Sequence, residues 1–351
     1  MKAALDKGQF GPWALVTGAS SGIGKEFARQ IAASGINVVL VARRDALLAE
    51  LGRAISQEFD VQYRAVPMDL SQEGFIAGLA EATDDIDIGL VVSNAGTGNP
   101  GEFLKLDRQL LQKTLRLGTM AHLDIAHHFG AKLAERRRGG LILIGSMGAE
   151  IGVPFMANDG GAKAYVHSLG EALHYEFKPR GVYVTVVPAA LTNTPVLAKL
   201  GLDPRTMPMK PMSVEQCVSE GLNALRENRS RIVPGRMNRI MNALVPASVK
   251  RTMTAKMLGK TLANKPASAR SRPNEGGSAP SADSATPSSP SLGERIARAQ
   301  CPLSVPNHMP ARSPRVRRAT RWSPLLTARI DWLRGLDMLN AARPRKPTGS
   351  I

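Results

Sequence analysis

The stretch Thr17-Gly18-Ala19-Ser20-Ser21-Gly22-Ile23-Gly24, "TGASSGIG", decides the fold. It follows the short apolar run Ala14–Thr17 and opens "GKEFARQIAAS", whose apolar residues recur at i, i+3, i+4 as on one face of a helix. Glycines let a backbone turn tightly between strand and helix. The free N–H groups at the start of that helix then face any pyrophosphate lying across the turn. A glycine triplet alone is weak evidence, but one set between a strand and a helix near the start of a repeated pattern is strong. Gly18, Ser20, Ser21, Gly22, Ile23 and Gly24 are therefore candidate cofactor-binding residues.

Outward from this turn, short β-branched runs alternate with longer helical patterns. Strands are expected at Ala14–Thr17, Asn37–Ala42, Gln62–Pro67, Gly89–Ser93, Leu141–Gly145 and Val182–Val187, with a last one near Arg231–Pro234. Helical spacing recurs between them, as in "AYVHSLGEALHYEF". This alternation predicts an α/β fold, a Rossmann-type doubly wound parallel sheet in a single domain spanning residues 1–265. In such sheets ligands lie outside the carboxyl ends of the strands, where the strand order switches.

Composition separates the rest of the chain. Residues 266–351 are rich in Pro, Ser, Ala and Arg and contain no Phe or Tyr, which predicts a disordered basic tail with one short helix near Pro324–Leu339. That tail holds 14 Lys and Arg against 5 Asp and Glu, so +9 of the net +17 belongs to it. The charge therefore does not mark the folded part as nucleic-acid binding. Cys217 and Cys301 stand alone in unlike segments, which excludes a disulfide framework and a cysteine metal site. The start "MKAALDKGQFGPW" has no apolar leader and no later run is long enough to span a bilayer, so a cytoplasmic protein is expected.

The TGxxxGxG spacing resembles that of the short-chain dehydrogenase/reductase family, and further landmarks follow in the family's order over roughly residues 12 to 262. Asp69-Leu70 after the third strand is similar to the family's adenine contact, and Asn94-Ala95-Gly96 after the fourth to its NAG element. The phrases "GPWALVTGASSGIGKEFARQIAASGINVVLVARR" and "LHYEFKPRGVYVTVV" resemble the branch of 3-oxoacyl-CoA reductases and 17β-hydroxysteroid dehydrogenases. That resemblance implies hydride transfer between a nicotinamide and a lipid-like or steroid-like carbonyl or alcohol, in a homo-oligomer. At the end of the second strand, where an NAD enzyme keeps a carboxylate for the ribose hydroxyl, the chain has Arg43 and Arg44. Guanidinium groups there suit a 2′-phosphate and favour NADP(H) over NAD(H), although Asp45 is close by.

The resemblance also implies a catalytic set: a serine that holds the carbonyl oxygen, a tyrosine that delivers the proton, a lysine four residues later and an asparagine that anchors a water. Ser146 and Lys163 match two of these. Thirteen residues on from Ser146 and four back from Lys163 the count meets at the same place, "NDGGAK", and that residue is Asp159. The asparagine's position falls on Gly118. Tyr165, two residues past Lys163, points away from it on a helix. An ordinary aspartate beside a lysine is ionised at neutral pH and ends roughly 3 Å nearer the backbone than a tyrosine hydroxyl. The expectation is an enzyme with weakened proton delivery, bridged by water among Ser146, Asp159 and Lys163. The alternative is a catalytically silent NADP-binding scaffold.

Thr192 and Thr194 in "VVPAALTNTPVLAK" are the candidate carboxamide contacts, although alanines stand where the family has Pro-Gly. His122, His127 and His128 share one helical pattern without a carboxylate shell and are expected in packing or surface roles, not on a metal. Val249, Met253 and Met257 recur at i, i+4 among Lys and Arg, which fits a substrate lid, a subunit contact, a peripheral membrane foot or ordinary packing.

Overall fold

The computed structural model describes residues 4–203, 205 and 210–263. These belong to the first of two units, Met1–Gly277. The tail, its expected helix and Cys301 lie outside the described residues.

Six strands form one parallel sheet: β1 (Trp13–Thr17), β2 (Asn37–Ala42), β3 (Tyr63–Pro67), β4 (Ile88–Ser93), β5 (Gly139–Ser146) and β6 (Val182–Ala189). Their order is β3-β2-β1-β4-β5-β6, so the order reverses between β1 and β4. Helices α1 (Lys7–Phe10) and α2 (Gly22–Ala32) flank β1. Then come α3 (Asp45–Phe59), α4 (Phe75–Glu81), α5 (Arg108–Leu115), α6 (Ala121–Arg136) and α7 (Ala157–Phe177), followed by α8 (Pro195–Lys199), α9 (Val214–Arg226), α10 (Arg236–Leu244) and α11 (Ala247–Ala263).

The strands are apolar on both faces because helices cover both, and the period of two sorts their residues. Val38 and Leu40 of β2, with Leu90 and Val92 of β4, face a core completed by Phe27 and Ile31 of α2, Leu48 and Ile55 of α3, and Val218 and Leu225 of α9. The intervening Val39, Val41 and Val91 face the opposite core, where Phe75 and Leu79 of α4, Ile125 and Phe129 of α6, and Val166 of α7 pack. Each buried Val, Leu or Phe contributes about 1.5–3 kcal/mol of transfer free energy, so these two layers hold the strand ends in place.

The expected seventh strand is a correction. At that place a single bridge joins Val186 to Arg231, with Val186 N–H donating to Ser230 and Ile232 N–H to Val186. The Arg231 guanidinium reaches away to Glu150 and Glu171. Pro234 then offers no N–H to continue a ladder, and Gly235, at φ 86°, turns the chain into α10. The other six strands match the sequence expectation to within two residues at each end.

Candidate active site

The glycine turn opens at the switch between β1 and β4. Gly18 adopts a left-handed φ of 65°, and a Cβ on Gly24 would land on the carbonyl oxygen of Gly18. Only glycine permits both the turn and so close an approach of helix to loop. Asn94 locks the arrangement from the neighbouring strand: its Nδ2 donates to the Thr17 carbonyl at 2.9 Å. The N–H groups of Asn94 and Ala95 both donate to Thr17 Oγ1, at 2.8 and 3.0 Å. The NAG element thus pins β4 to the glycine turn, and Thr17, which opens that turn, joins the candidate residues through these bonds.

Arg44 leaves the end of β2 and lies across the same turn, donating to Ser20 Oγ at 2.8 Å and Ser21 Oγ at 3.2 Å. Arg43 is exposed beside Asp69. Burial works against a charge on Asp69, yet hydrogen bonds from Ser71 and the charges of Lys113 and Arg43 outweigh it and hold the carboxyl below its ordinary range. Leu70 is buried next to it. On the far side of the turn, Thr194 caps α8 with its methyl group 3.2 Å from where a Gly22 side chain would begin. Thr192 is buried, and its hydroxyl donates to the Ala190 carbonyl at 2.8 Å, so of the two threonines Thr194 stands over the cradle. This open, donor-lined cradle fits a dinucleotide: it is closed by glycines where a side chain would obstruct and faced by an Arg-Ser-Ser cluster.

Beyond the cradle lie the three expected reaction residues. Ser146 ends β5, where its Oγ accepts from Gly148 N–H at 3.2 Å and its own N–H donates to His167 Nε2 at 3.2 Å. Burial, helped by Arg231, brings His167 down to about 4, so the ring is neutral at pH 7 and can accept. Lys163, on α7, donates to the Ile144 carbonyl at 2.8 Å and meets His122 Nε2 at 3.3 Å. Its Nζ lies 3.4 Å from where a Gly96 Cβ would stand, which brings the lysine to the NAG end of the cradle. Burial pulls Lys163 down to about 8, with Asp159 pushing the other way.

Asp159 occupies the first turn of α7 and is only 8% exposed. Burial pushes its carboxyl up to about 6, although the N–H groups of Asn99 and of Asp159 itself and the charge of Lys163 all favour ionisation. The carboxyl is therefore harder to ionise than an ordinary aspartate, while at pH 7 it is still charged in most molecules. A helix N-terminus and a lysine one turn away would normally decide the matter, but desolvation in this pocket is the larger effect. Among the described residues no ion pair joins Asp159 to Lys163, whose ammonium is directed to Ile144 and His122 instead.

The carboxyl is enclosed by segments tied together around it. Asn99 N–H reaches Asp159 Oδ1 at 3.4 Å while its side chain donates to Thr114 Oγ1 at 2.8 Å, and Asn158 donates to the Leu111 carbonyl at 3.0 Å. Next to Asp159 opens a cavity of about 350 Å³ lined by Phe103, Leu104, Leu106, Phe155 and Met156. Gly118, buried, sits in the middle of a π-helical turn, Arg116–Met120, between α5 and α6. Tyr165 is exposed.

His127 is exposed and His128 packs edge-on to Phe129, as expected. His122 goes beyond a packing role: it is buried within the site, with Nδ1 2.7 Å from Ser93 Oγ. Its position one helical turn after Gly118 was the signal available in the sequence. Among the described residues no group of three or more His, Cys, Asp or Glu could hold a metal. Cys217 is buried, which raises its thiol to about 12 and leaves it inert.

Fold and site together define a dinucleotide-binding oxidoreductase: a glycine cradle at the switch point, with a serine and a lysine converging beyond it. The chain belongs to the short chain dehydrogenase family, whose profile matches residues 12–205. It is 32% identical over 232 residues to a 7beta-hydroxysteroid dehydrogenase of Clostridium sardiniense, covering 66% of this chain and 88% of that one. It is 34% identical over 192 residues to a very-long-chain 3-oxoacyl-CoA reductase of Neurospora crassa, spanning 53% of this chain and 58% of the reductase. Among solved structures, a short-chain dehydrogenase from Sphingobium yanoikuyae in complex with NADPH superposes with a TM-score of 0.61 at 27% identity, covering 73% of this chain and 97% of that one. No helix among the described residues is long and apolar enough to cross a membrane.

Proposed function

We propose that the chain is an NADP(H)-dependent oxidoreductase acting on a lipid-like or steroid-like carbonyl or alcohol, with Asp159 moving the proton and at a reduced rate. The observation that carries this reading is Asp159 itself, a buried carboxyl brought to about 6 beside an apolar cavity of about 350 Å³. That volume is at the small end of ligand pockets, and its aromatic and aliphatic lining suits an apolar substrate. The similar proteins named for a hydroxysteroid and for a very-long-chain oxoacyl thioester point the same way.

The bound cofactor would supply or accept the hydride. Arg44, Ser20 and Ser21 would hold its 2′-phosphate, the N–H groups after Gly22 its pyrophosphate, Asp69 and Leu70 its adenine, Asn94 to Gly96 and Lys163 the nicotinamide ribose, and Thr194 the carboxamide. Ser146 would hydrogen-bond the substrate oxygen. In reduction that oxygen takes a proton from Asp159 through one water, which spans the roughly 3 Å by which a carboxyl falls short of a tyrosine hydroxyl. Solvent then reprotonates the carboxylate. At pH 7, one unit above its pKa, about a tenth of the molecules carry the required proton. A hydroxyl titrating at or above neutral pH keeps half or more of its protons at pH 7, so reduction through Asp159 is expected to be slower.

The test is the pH profile of NADPH-dependent reduction over a panel of keto-steroids and 3-oxoacyl thioesters. Reduction should fall about tenfold per pH unit above a midpoint near 6, and oxidation of the matching alcohol should rise through the same midpoint. A flat profile from pH 5 to 8, or full activity in Asp159→Ala, would remove Asp159 from the proton path. NADPH binding with no turnover across the panel would favour the silent scaffold.

A lipid surface completes the reading. Met237, Ile240 and Leu244 are exposed at i, i+3, i+7 on α10, and Val249 and Met253 at i, i+4 on α11. Residues 236–263 carry six Lys and Arg and no Asp or Glu. Met257 instead packs on Leu197, Leu200 and Leu202. Apolar side chains set among basic ones suit an anionic membrane on which an apolar substrate would collect.

A further inference from the structure

The sequence register puts a glycine where the family's asparagine anchors a water, and the structure shows what stands next to that gap. A Cβ on Gly118 would lie 3.0 Å from Ala162 Cβ, so α7 packs tightly there. One turn further along α6, His122 is 1% exposed, with Nδ1 2.7 Å from Ser93 Oγ and Nε2 3.3 Å from Lys163 Nζ. The groups facing this pair are Ser93 and the Ala95 carbonyl beyond β4, the Ile144 carbonyl from β5, and Asp159 and His167, one turn before and one turn after Lys163 on α7.

Burial, with the charge of Lys163 adding to it, pushes His122 well below its ordinary value, against the pull of the Ala95 carbonyl, so the ring is neutral at pH 7. An ammonium only donates. Its contact with His122 is therefore a hydrogen bond when Nε2 carries the lone pair, which assigns the ring proton to Nδ1, donating to Ser93 Oγ. The ammonium of Lys163 selects the tautomer, and Ser93, whose hydroxyl can accept the Nδ1 proton, holds the ring in place.

We infer that His122, oriented by Ser93, is the positioning residue that holds the Lys163 ammonium in this chain. Two fixed acceptors, Ile144 O and His122 Nε2, then hold the charge at the NAG end of the cradle while Asp159 stays free of an ion pair. The catalytic value of this arrangement rests on the function proposed above, but the contact is testable without it.

The experiment follows the ionisation of Lys163 in the full chain, without cofactor or substrate, by competitive acetylation across pH 6–11 with mass spectrometry. Loss of the acceptor in His122→Leu should lower the midpoint of Lys163 by about one pH unit, a tenfold loss of proton affinity, the scale of a hydrogen bond to a charged group. His122→Gln, whose side-chain oxygen can accept, should restore most of it. An unmoved midpoint in a cooperatively melting His122→Leu protein overturns the inference. Should that variant not fold, Ser93→Ala decides: a lowered midpoint supports the assignment and an unchanged one overturns it. Because no turnover is needed, a chain that reduces nothing would sink the proposed function and leave this inference standing.

Discussion

Replacing Asp159 by Asn should stabilise the protein at neutral pH, which is the reverse of what removing a charged residue near a helix N-terminus ordinarily does. The folded-state value of about 6 lies above the reference 3.8 because burial disfavours the carboxylate. Folding then binds the proton more tightly than the unfolded chain does. Stability from this group is fully present below pH 3.8 and is lost as pH rises through about 6. Each pH unit between the two values is about 1.4 kcal/mol, so at pH 7.5 the ionised carboxyl costs about 3 kcal/mol. The attraction of Lys163 is already contained in that value, since it acts on the same equilibrium. Asn is a near copy of the protonated acid, and its oxygen can still accept from Asn99 N–H. Urea unfolding of both proteins should therefore show Asp159→Asn more stable by up to about 3 kcal/mol at pH 7.5, and the two within about 0.5 kcal/mol at pH 4. A variant no more stable than the parent at pH 7.5 would refute the buried, destabilised carboxyl and the proton chemistry built on it.

Arg44→Ala should weaken NADPH binding by about 1–3 kcal/mol and leave NADH almost unchanged, as read by calorimetric titration, because the guanidinium lies on Ser20 and Ser21 where a 2′-phosphate would sit; equal losses for both cofactors would contradict this. Asp159→Tyr should raise carbonyl reduction by about 10²-fold. Adding Gly118→Asn should help further only together with Ala162→Gly, since the new Cβ would otherwise press on Ala162 at 3.0 Å, overpacking worth about 1–3 kcal/mol in a melting experiment. Vesicles of phosphatidylserine and phosphatidylcholine should sediment the full chain at low salt, and Met237→Asp with Leu244→Asp should abolish most of that binding; unchanged sedimentation would leave α10 with no membrane role.

Local patterns carried the sheet. "NVVLVA" could be read as a doubly covered strand because its side chains divide between two cores, and β2 runs over those residues, Asn37–Ala42. "RIVP" looked equally strand-like but failed, since Arg231 is drawn to Glu150 and Glu171 from segments 81 and 60 residues away and Pro234 cannot extend a ladder. The same division holds in the site. The identity of residue 159 was readable from two spacings that agree, because both count along one continuous segment. Its ionisation was not, since what buries it comes from the 99–106 loop and from α5, which only the fold brings near. His122 is the sharper case: its contacts with Ser93 and Lys163 cross 29 and 41 residues of chain. Spacing along one helix shows that a lysine follows an aspartate by one turn and suggests that the two pair. In three dimensions the lysine has nearer acceptors, and burial of the unpaired aspartate raises its proton affinity. The position that spacing alone identifies thus holds a titratable group whose proton affinity is set by residues that no local motif contains.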